Sequence, residues 1–350
     1  MTAQPIPKSI DDVSPAWLGA VTGFDIRAIT VEQIGVGIGV SSAVYRVALD
    51  GRACPQSVVV KLPALDEAAN FTSTMLRFYI REVRFFTELA SQSPIRVPAC
   101  YHGAVDEETS RFVVVMEDMG AMRSVDQLDG MALVDAEQAV DELAGWHATW
   151  WRRADALAES GVALSLGDPI YTAILPVVFE EGWEKVRAAM PVDEAIAEVG
   201  PRFGAAIGRL MGDLALSPTT LVHGDYRADN ILFMPNGRVA LLDFQIIGTG
   251  SGAYDLAYFV TQSLDAQVAH DHERELFDRW VDGLRRRGVS EDDTARMWQD
   301  YRTAALFCLV YPIVASRGMD LSDRRQYELV MRMNSRMSRA LTELDLAELL

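Results

Sequence analysis

The chain has 350 residues, of which 49% are hydrophobic and 23% charged, a balance typical of globular proteins that excludes collagen-like, coiled-coil and disordered chains. The formal net charge is −18, so most of the surface repels phosphate backbones and we expect no nucleic-acid partner. The longest apolar run, residues 304–316, contains Pro312 and is too short to cross a bilayer, so we expect no membrane partner.

Three cysteines, Cys54, Cys100 and Cys308, lie far apart in the sequence and show no metal-ligand spacing. We interpret them as buried or half-buried thiols in a reducing compartment. The N-terminal segment lacks the basic stretch followed by an apolar stretch that marks a secretory signal. The sequence therefore predicts a cytoplasmic protein.

Strand patterns dominate the first part of the chain. Short β-branched segments, partly alternating, predict extended elements over residues 28–34, 43–49, 57–63, 100–105 and 111–119. One long helix is predicted over residues 67–91, where apolar side chains recur at three- and four-residue steps. We therefore predict that residues 1–118 form a β-rich N-terminal lobe that contains one long helix.

Helical periodicity dominates after residue 119. It predicts helices over residues 135–151, 194–215, 252–268, 272–288, 294–316 and 324–350. The exception is residues 231–244, where the pattern is typical of two strands around Pro-Asn-Gly. We therefore predict a bilobal α+β fold, whose larger and mainly helical lobe covers residues 119–350.

The predicted hairpin gathers polar side chains at its open end. Asn236 and Gly237 between apolar runs favour a two-residue turn, which would place Asn230 opposite Asp243, whereas a longer turn around Met234 and Pro235 would change this register. Asp225 lies on the loop that leads into the first of these strands. Carboxylate and amide oxygens are ligands that Mg²⁺ accepts, commonly together with substrate phosphates. Asp and Asn also cap ordinary turns, and these residues alone leave that alternative open.

A glycine-rich segment separates the first two predicted strands. Gly37 and Gly39 match the pattern G-x-G-x-x-G-x-V, and Ser42 stands at its third glycine. Backbone N–H groups of such a loop can approach phosphates closely. A plain flexible hairpin explains the same glycines.

Two charged residues follow in apolar surroundings. Lys61 ends the strand pattern VVVK, where burial would require an anionic partner. The alternative is a lysine whose ammonium group reaches solvent at the strand end. Glu82 lies on the predicted helix among aromatic residues, so it either faces solvent or pairs with a cation such as Lys61.

These features occur in an order that resembles the protein-kinase-like superfamily: glycine loop, strand lysine, helix glutamate, linker, H-x-D-x-x-x-x-N, hairpin and D-F-x. Within this superfamily, the chain resembles the aminoglycoside-phosphotransferase and choline-kinase branch in its segments HGDYRADNILF and ALLDFQIIGTGSGAYDLAYF. The chain is most similar to the ecdysteroid-kinase-like group of small-molecule kinases in three segments: DFQ, EDM after the apolar strand, and LAGWHATWW. The resemblance covers residues 30–260.

This resemblance implies ATP and Mg²⁺ as cofactors and assigns roles in phosphoryl transfer. Asp225 would accept the proton of the acceptor hydroxyl. Asn230 and Asp243 would hold Mg²⁺, and Lys61, oriented by Glu82, would contact the α- and β-phosphates.

The resemblance implies further roles around the nucleotide and the catalytic loop. The nucleotide would be contacted by Gly37, Gly39 and Ser42 over the phosphates, by Met116 behind the adenine, and by the backbone of Glu117 and Met119 at its edge. Arg227 would stabilise charge on the transferring phosphoryl group. His223 and Asp255 would support the loop structurally.

The spacing after the hairpin bears on the acceptor. Only twelve positions lead from Asp243 to Asp255, too few for the segment on which a protein kinase binds its peptide. We therefore predict a small-molecule hydroxyl acceptor, which is an alcohol, a steroid-like compound, an aminoglycoside or a choline-like compound. The resemblance implies that the acceptor pocket is built from the helical stretch 150–220. The aromatic side chains of this stretch either line that pocket or belong to the core.

Two rival hypotheses remain from the sequence. The first is a kinase-like protein that binds nucleotide without turnover and serves regulation. The second is an unrelated fold in which residues 221–243 are merely a hairpin with polar caps, and this hypothesis predicts no ATP binding.

Overall fold

A computed structural model describes residues 4–35 and 41–350. The chain divides into two compact units, Met1–Met122 with Asp243–Ile246, and Arg123–Leu242 with Ile247–Leu350. Strands dominate the first unit and helices dominate the second, which confirms the predicted α+β class.

The first unit contains an antiparallel sheet whose strand order is β1-β2-β3-β5-β4. The strands are β1 (Asp25–Ile34), β2 (Ser42–Arg52), β3 (Ser57–Pro63), β4 (Cys100–Asp106) and β5 (Arg111–Glu117). The five predicted extended segments are therefore confirmed. Helix α1 (Pro15–Thr22), capped by the Ser14 hydroxyl, buries Trp17 in the same apolar cluster as β3 side chains such as Val60.

The continuous helix predicted over residues 67–91 is wrong. The chain forms α2 (Glu67–Met75), α3 (Phe78–Arg84) and a π-helical turn (Phe85–Leu89). Arg77 separates α2 from α3 because its φ of +56° lies in the left-handed region, which a right-handed helix cannot include. The apolar periodicity runs across this break, so it could not reveal the left-handed residue.

The second unit is mainly helical. Its helices are α4 (Leu133–Trp150), α5 (Ala154–Ser160), α6 (Pro169–Ala189), α7 (Glu194–Leu216), α8 (Ala253–Ser263), α9 (Ala266–Arg286), α10 (Glu291–Thr294), α11 (Met297–Phe307), α12 (Val310–Gly318) and α13 (Arg324–Glu343). The predicted helices 135–151 and 194–215 are confirmed, as α4 and α7, to within about two residues at each end.

The bounds of the other four predicted helices are wrong. Helix α9 begins at Ala266 rather than at 272, and α13 ends at Glu343 rather than at 350, because Asp345 takes a left-handed φ of +51°. The predicted helix 252–268 ends at Ser263, because Leu264 is extended and the Asp265 carboxylate caps α9 by accepting from the Gln267 N–H at 2.9 Å. The predicted helix 294–316 divides near Cys308 into α11 and α12. Pro312 lies in the first turn of α12, where its missing N–H costs no helical hydrogen bond.

Short strands complete the second unit. They are β6 (Arg123–Ser124), β7 (Leu164–Ser165), β8 (Thr220–Val222), β9 (Ile231–Phe233), β10 (Val239–Leu241) and β11 (Gly248–Gly250). They form two small sheets, with strand orders β10-β9-β6 and β7-β11-β8.

The predicted hairpin forms, but its predicted register is wrong by one residue. The pairs Leu241–Ile231 and Val239–Phe233 leave a three-residue loop, in which Gly237 takes a left-handed φ of +76°. Leu242, rather than Asp243, therefore lies opposite Asn230, and its N–H donates to the Asn230 carbonyl at 2.9 Å. The extra loop residue is Pro235, and loop length alone decides the register.

Two further expectations concern burial. Cys54 and Cys100 are half-buried, Cys308 is buried and all three thiols are free, as predicted. Of the aromatic side chains in the stretch 150–220, Trp150 and Phe179 are fully buried, which confirms for these two that they belong to the core. Over residues 4–35 and 41–350, we find no helix with the length and apolar character that a membrane span requires.

Candidate active site

Asp225 lies on the loop between β8 and β9 and is buried. Its carboxylate accepts hydrogen bonds from Asn230 Nδ2 at 2.8 Å and Arg227 Nε at 3.1 Å, and the nearby Tyr258 hydroxyl of α8 also stabilises its ionised form. Burial by itself raises the pKa of Asp225, but the Arg227 charge, followed by these hydrogen bonds, outweighs burial and lowers the pKa. Asp225 is therefore a fixed, ionised hydrogen-bond acceptor at neutral pH.

Asn230 ends a 3₁₀ turn, Ala228–Asn230, directly before β9. Its Nδ2 donates to the Asp225 backbone carbonyl at 2.9 Å as well as to the Asp225 carboxylate. Both amide hydrogens are therefore used, and this network assigns the Oδ1 oxygen to the opposite side of the amide. That oxygen is the group of Asn230 that is suited to bind a cation.

Arg227 links the loop to a distant segment of the second unit. Its Nη1 donates to Gln127 Oε1 at 2.8 Å and forms an ion pair with Asp229. Asp229 in turn accepts from the Gln127 backbone N–H at 3.1 Å. The sequence suggested no role for Asp229, whereas the structure shows that it anchors the loop together with Arg227.

Asp255 on α8 supports the backbone ahead of Asp225. Its carboxylate accepts from the backbone N–H groups of His223 at 2.7 Å and Gly224 at 2.9 Å, so the expected supporting contact is confirmed. His223 accepts the Asp225 N–H at Nδ1, 3.3 Å away, and therefore donates from Nε2 to the Leu242 carbonyl at 3.0 Å. His223 is thus a structural residue, as predicted.

Lys61, Glu82 and Asp243 meet in the first unit. The buried ammonium group of Lys61 lies 2.6 Å from Glu82 Oε1 and 3.1 Å from Asp243 Oδ1. The predicted pairing of Lys61 with Glu82 is therefore confirmed. Burial, together with the neighbouring Asp243 charge, raises the pKa of Glu82 against the opposing effect of Lys61. Burial lowers the pKa of Lys61, but the two carboxylates outweigh it and the pKa rises, so the ammonium stays charged.

Asp243 is held in a strained conformation by its neighbours. Its φ is +62°, a left-handed value that Asp tolerates better than most residues but that still costs free energy. The following Phe244 stacks on Phe85 with ring centroids 3.7 Å apart, and Phe86 meets it edge-on at 5.7 Å. These aromatic contacts fix Phe244, and Phe244 in turn keeps the adjacent Asp243 beside Lys61.

The residues expected around a nucleotide lie in or beside the sheet of the first unit. Met116 and Met119 are buried, and Ser42 begins β2 opposite Pro63. The Glu117 backbone N–H donates to the Ala99 carbonyl at 2.9 Å, so this N–H is already used within the protein. The expected phosphate-covering residues Gly37 and Gly39 lie outside the described residues.

The residues expected to hold Mg²⁺ fit that ion by their chemistry. Asn230 presents an amide oxygen, and the Asp243 carboxylate is 26% exposed, so both offer hard oxygen ligands. Over residues 4–35 and 41–350, no group of three or more His, Cys, Asp and Glu side chains could hold a metal ion. The expected ligand set is of another kind, because phosphates and water would complete it.

Sequence reasoning missed two contacts of the loop that carries Asp225. Tyr258 follows Asp255 by three positions on α8, so both face the same side of the helix. That spacing could have identified Tyr258 as a neighbour of Asp225. Gln127 carries no comparable signal, because it meets Arg227 across a hundred positions of sequence.

The chain belongs to the ecdysteroid kinase-like family, whose model matches residues 37–287. This match covers most of the chain, including both groups of polar residues described above. The search of curated proteins found no significant match.

Solved structures of small-molecule kinases share the fold. Aminoglycoside 2′-phosphotransferase-IIIa with GDP has a TM-score of 0.58 at 14% identity, over 92% of this chain and 96% of that one. APH(2″)-IIIa with GDP and kanamycin has 0.57 at 13% identity, over 93% and 97%. Choline kinase from Cryptosporidium parvum has 0.56 at 13% identity, over 95% and 92%. At such identities the likeness concerns the fold alone.

Proposed function

We propose that the protein transfers the γ-phosphate of ATP, in the presence of Mg²⁺, to a hydroxyl group of a small molecule. The observation that carries this proposal is the buried pairing of Lys61 with both Glu82 and Asp243. A strand lysine paired with a helix glutamate, together with a metal-binding aspartate, is the apparatus that protein kinases need for phosphoryl transfer. Membership in the ecdysteroid kinase-like family supports small-molecule kinase activity in general.

In this proposal the first group of residues binds the nucleotide. Lys61 contacts the α- and β-phosphates, and Glu82 orients it. The remaining nucleotide contacts are those expected from the sequence: Gly37, Gly39 and Ser42 at the phosphates, and Met116, Glu117 and Met119 at the adenine. The GDP bound in two structures of similar fold supports the use of a nucleotide.

Asn230 and Asp243 would bind Mg²⁺ through the oxygens described above. When bound, Mg²⁺ would neutralise charge on the β- and γ-phosphates. In the protein without nucleotide, the Lys61 ammonium forms an ion pair with Asp243. We expect a bound nucleotide to draw this ammonium toward its phosphates.

Asp225 would orient the acceptor hydroxyl and take its proton. Its lowered pKa makes it a weak base, so its main contribution is to aim the hydroxyl oxygen at the γ-phosphate. Arg227 fixes the Asp225 carboxylate and supplies positive charge against the transferring phosphoryl group.

We propose a small hydroxyl compound as the acceptor, because so few positions lead from Asp243 to Asp255. The reaction would take place in the cytoplasm, where three free thiols stay reduced. A panel containing a steroid alcohol, choline and an aminoglycoside distinguishes the candidate classes.

Two measurements test the proposal. Thermal unfolding with increasing ATP and Mg²⁺ should rise in midpoint, since a ligand at a hundred times its Kd stabilises by about 2.7 kcal/mol. ATP consumption with the acceptor panel should then require Asp225, and Asp225→Asn should lose it while the exposed Asp278→Asn on α9 should not.

The outcomes separate the rival hypotheses. An unchanged midpoint at millimolar ATP and Mg²⁺ would contradict any kinase-like function. Stabilisation by ATP with no phosphorylated acceptor would favour a nucleotide-binding protein without turnover. Lys61, Asp225 and Asp243 are all present, which supports turnover.

A further inference from the structure

We propose that Trp280 is a positioning residue for the catalytic loop, because its indole N–H fixes the tautomer of His147 that supports Asp255. The consequence for turnover rests on the proposed function. The effect on the loop backbone does not, and it can be measured without any substrate.

A chain of buried hydrogen bonds carries this inference. Trp280 on α9 donates from Nε1 to His147 Nδ1 at 3.0 Å, and His147 on α4 meets Asp255 Oδ2 through Nε2 at 3.1 Å. Asp255 then accepts the N–H groups of His223 and Gly224, which directly precede Asp225. Three helices are thereby connected to the backbone of one loop.

The direction of each bond follows from donor chemistry. An indole nitrogen can only donate, so Nδ1 of His147 must be the acceptor and carries no proton. The ring proton of neutral His147 is then on Nε2, where it donates to Asp255. With the opposite tautomer, an Nε2 lone pair would face the Asp255 carboxylate.

Burial and packing leave little room for another arrangement. His147, Asp255 and Trp280 are fully buried, so water cannot readily replace a lost partner. The rings of Trp280 and His147 meet edge-on, with centroids 5.7 Å apart at 86°. A Cβ atom on Gly252 would come within 2.8 Å of His147 Nδ1, so Gly252 provides the space for this ring.

Replacing the indole should therefore loosen the loop rather than merely the core. In Trp280→Phe the ring packing largely remains, but His147 Nδ1 loses its donor. The Nδ1-protonated tautomer then becomes accessible, and its Nε2 lone pair repels Asp255. A displaced Asp255 holds the His223 and Gly224 amides less firmly.

Trp150→Phe is the matched control. Trp150 is also fully buried and lies on α4, one turn from His147. Within the described residues its Nε1 has no hydrogen-bond partner. The control therefore loses similar volume and an indole N–H without losing a hydrogen bond.

The test combines ¹⁵N NMR of the histidine ring with hydrogen exchange of the His223 and Gly224 amides. In the wild type, His147 should show the Nε2-protonated tautomer. In Trp280→Phe this signal should change, and exchange of the two amides should become about tenfold faster than in Trp150→Phe. Turnover should also fall about tenfold, with the KM for ATP unchanged.

An Nδ1-protonated His147 in the wild type would overturn the inference before any variant is made. Equal amide exchange in the two tryptophan variants would overturn it as well. A wild type without turnover would contradict the proposed function instead, and the tautomer and exchange measurements would still decide on Trp280.

Discussion

The protein has two groups of charged residues, Lys61 with Glu82 and Asp243, and Asp225 with Arg227. The pKa of a buried carboxylate is shifted in opposite directions in these two groups. Glu82 of the first unit shares one ammonium group, that of Lys61, with Asp243, and burial raises the pKa of Glu82. Asp225 of the second unit is also buried, but Arg227, with other donors, lowers its pKa. The balance of donors therefore decides which carboxylate resists ionisation.

This difference fits a division of tasks. The first group has two carboxylates around one ammonium group, that of Lys61, which suits exchange of partners when phosphates and Mg²⁺ arrive. The second group holds one carboxylate rigidly, which suits aiming a hydroxyl group. The central claim is that the first group binds the nucleotide and the second performs the transfer.

The largest expected effect is on turnover after Asp225→Asn. The amide keeps the size of the side chain but cannot accept a proton, so turnover should fall about 100- to 10,000-fold. Phosphorylated acceptor is measured against Asp278→Asn, which is exposed and lies on α9. Equal turnover in the two variants would remove Asp225 from the reaction.

Lys61→Met should give the largest loss of stability. Removing this cation leaves buried Glu82 without its partner, and breaking a buried pair costs about 3–5 kcal/mol of unfolding free energy. In the exposed pair Arg27–Asp50, Arg27→Met should cost less than about 1 kcal/mol. Urea unfolding measures both.

A double variant sharpens this prediction. Adding Glu82→Gln to Lys61→Met removes the unpaired charge, so the double variant should be more stable than Lys61→Met alone. A further loss of stability in the double variant would mean that Glu82 is held by other contacts.

The pH dependence of stability should differ between the groups. Because the pKa of Glu82 is raised from 4.5 to about 7 in the folded protein, the stability it contributes is present below pH 4.5 and is lost as the pH rises toward 7. Glu82→Gln should abolish this loss. Asp225 has a lowered pKa, so its contribution is present above its ordinary value of 3.8 and is lost only under stronger acid.

Unfolding curves of the wild type and Glu82→Gln between pH 4 and about pH 8 check this sign. Parallel stability profiles for the two proteins would show that Glu82 titrates normally.

The smallest expected effect concerns Tyr258→Phe. Losing this donor should raise the pKa of Asp225, move the acidic limb of the pH profile of kcat/KM upward and lower turnover about fivefold. Tyr254→Phe is the control, because the Tyr254 hydroxyl contacts Tyr311. If both variants shift the acidic limb equally, the effect does not come from the bond to Asp225.

Local patterns predicted the elements well but failed where one backbone angle decides. Strand β3 was predicted with its observed ends, since an apolar β-branched run leaves few alternatives. The break at Arg77 and the three-residue loop at Gly237 depend on left-handed residues that apolar periodicity does not register.

The site was predictable to a similar degree. The residues of the loop that carries Asp225 lie close together in sequence. The cost of burying a single charge left two alternatives for Lys61 and Glu82, pairing or exposure to solvent, and the family resemblance favoured pairing. The contact of Asp229 with Gln127 joins positions that no local pattern relates. The tertiary fold, rather than spacing, creates such contacts.

The most direct test of the central claim is the affinity for ATP and Mg²⁺, measured by titration calorimetry at a temperature where all proteins are folded. We predict that Lys61→Met weakens binding about 10- to 100-fold, because a charge-assisted contact is worth about 1.5–3 kcal/mol. Asp225→Asn should stay within about threefold of the wild type, since its carboxylate serves the acceptor. Absence of binding by the wild type, or an equal loss in both variants, would contradict the account.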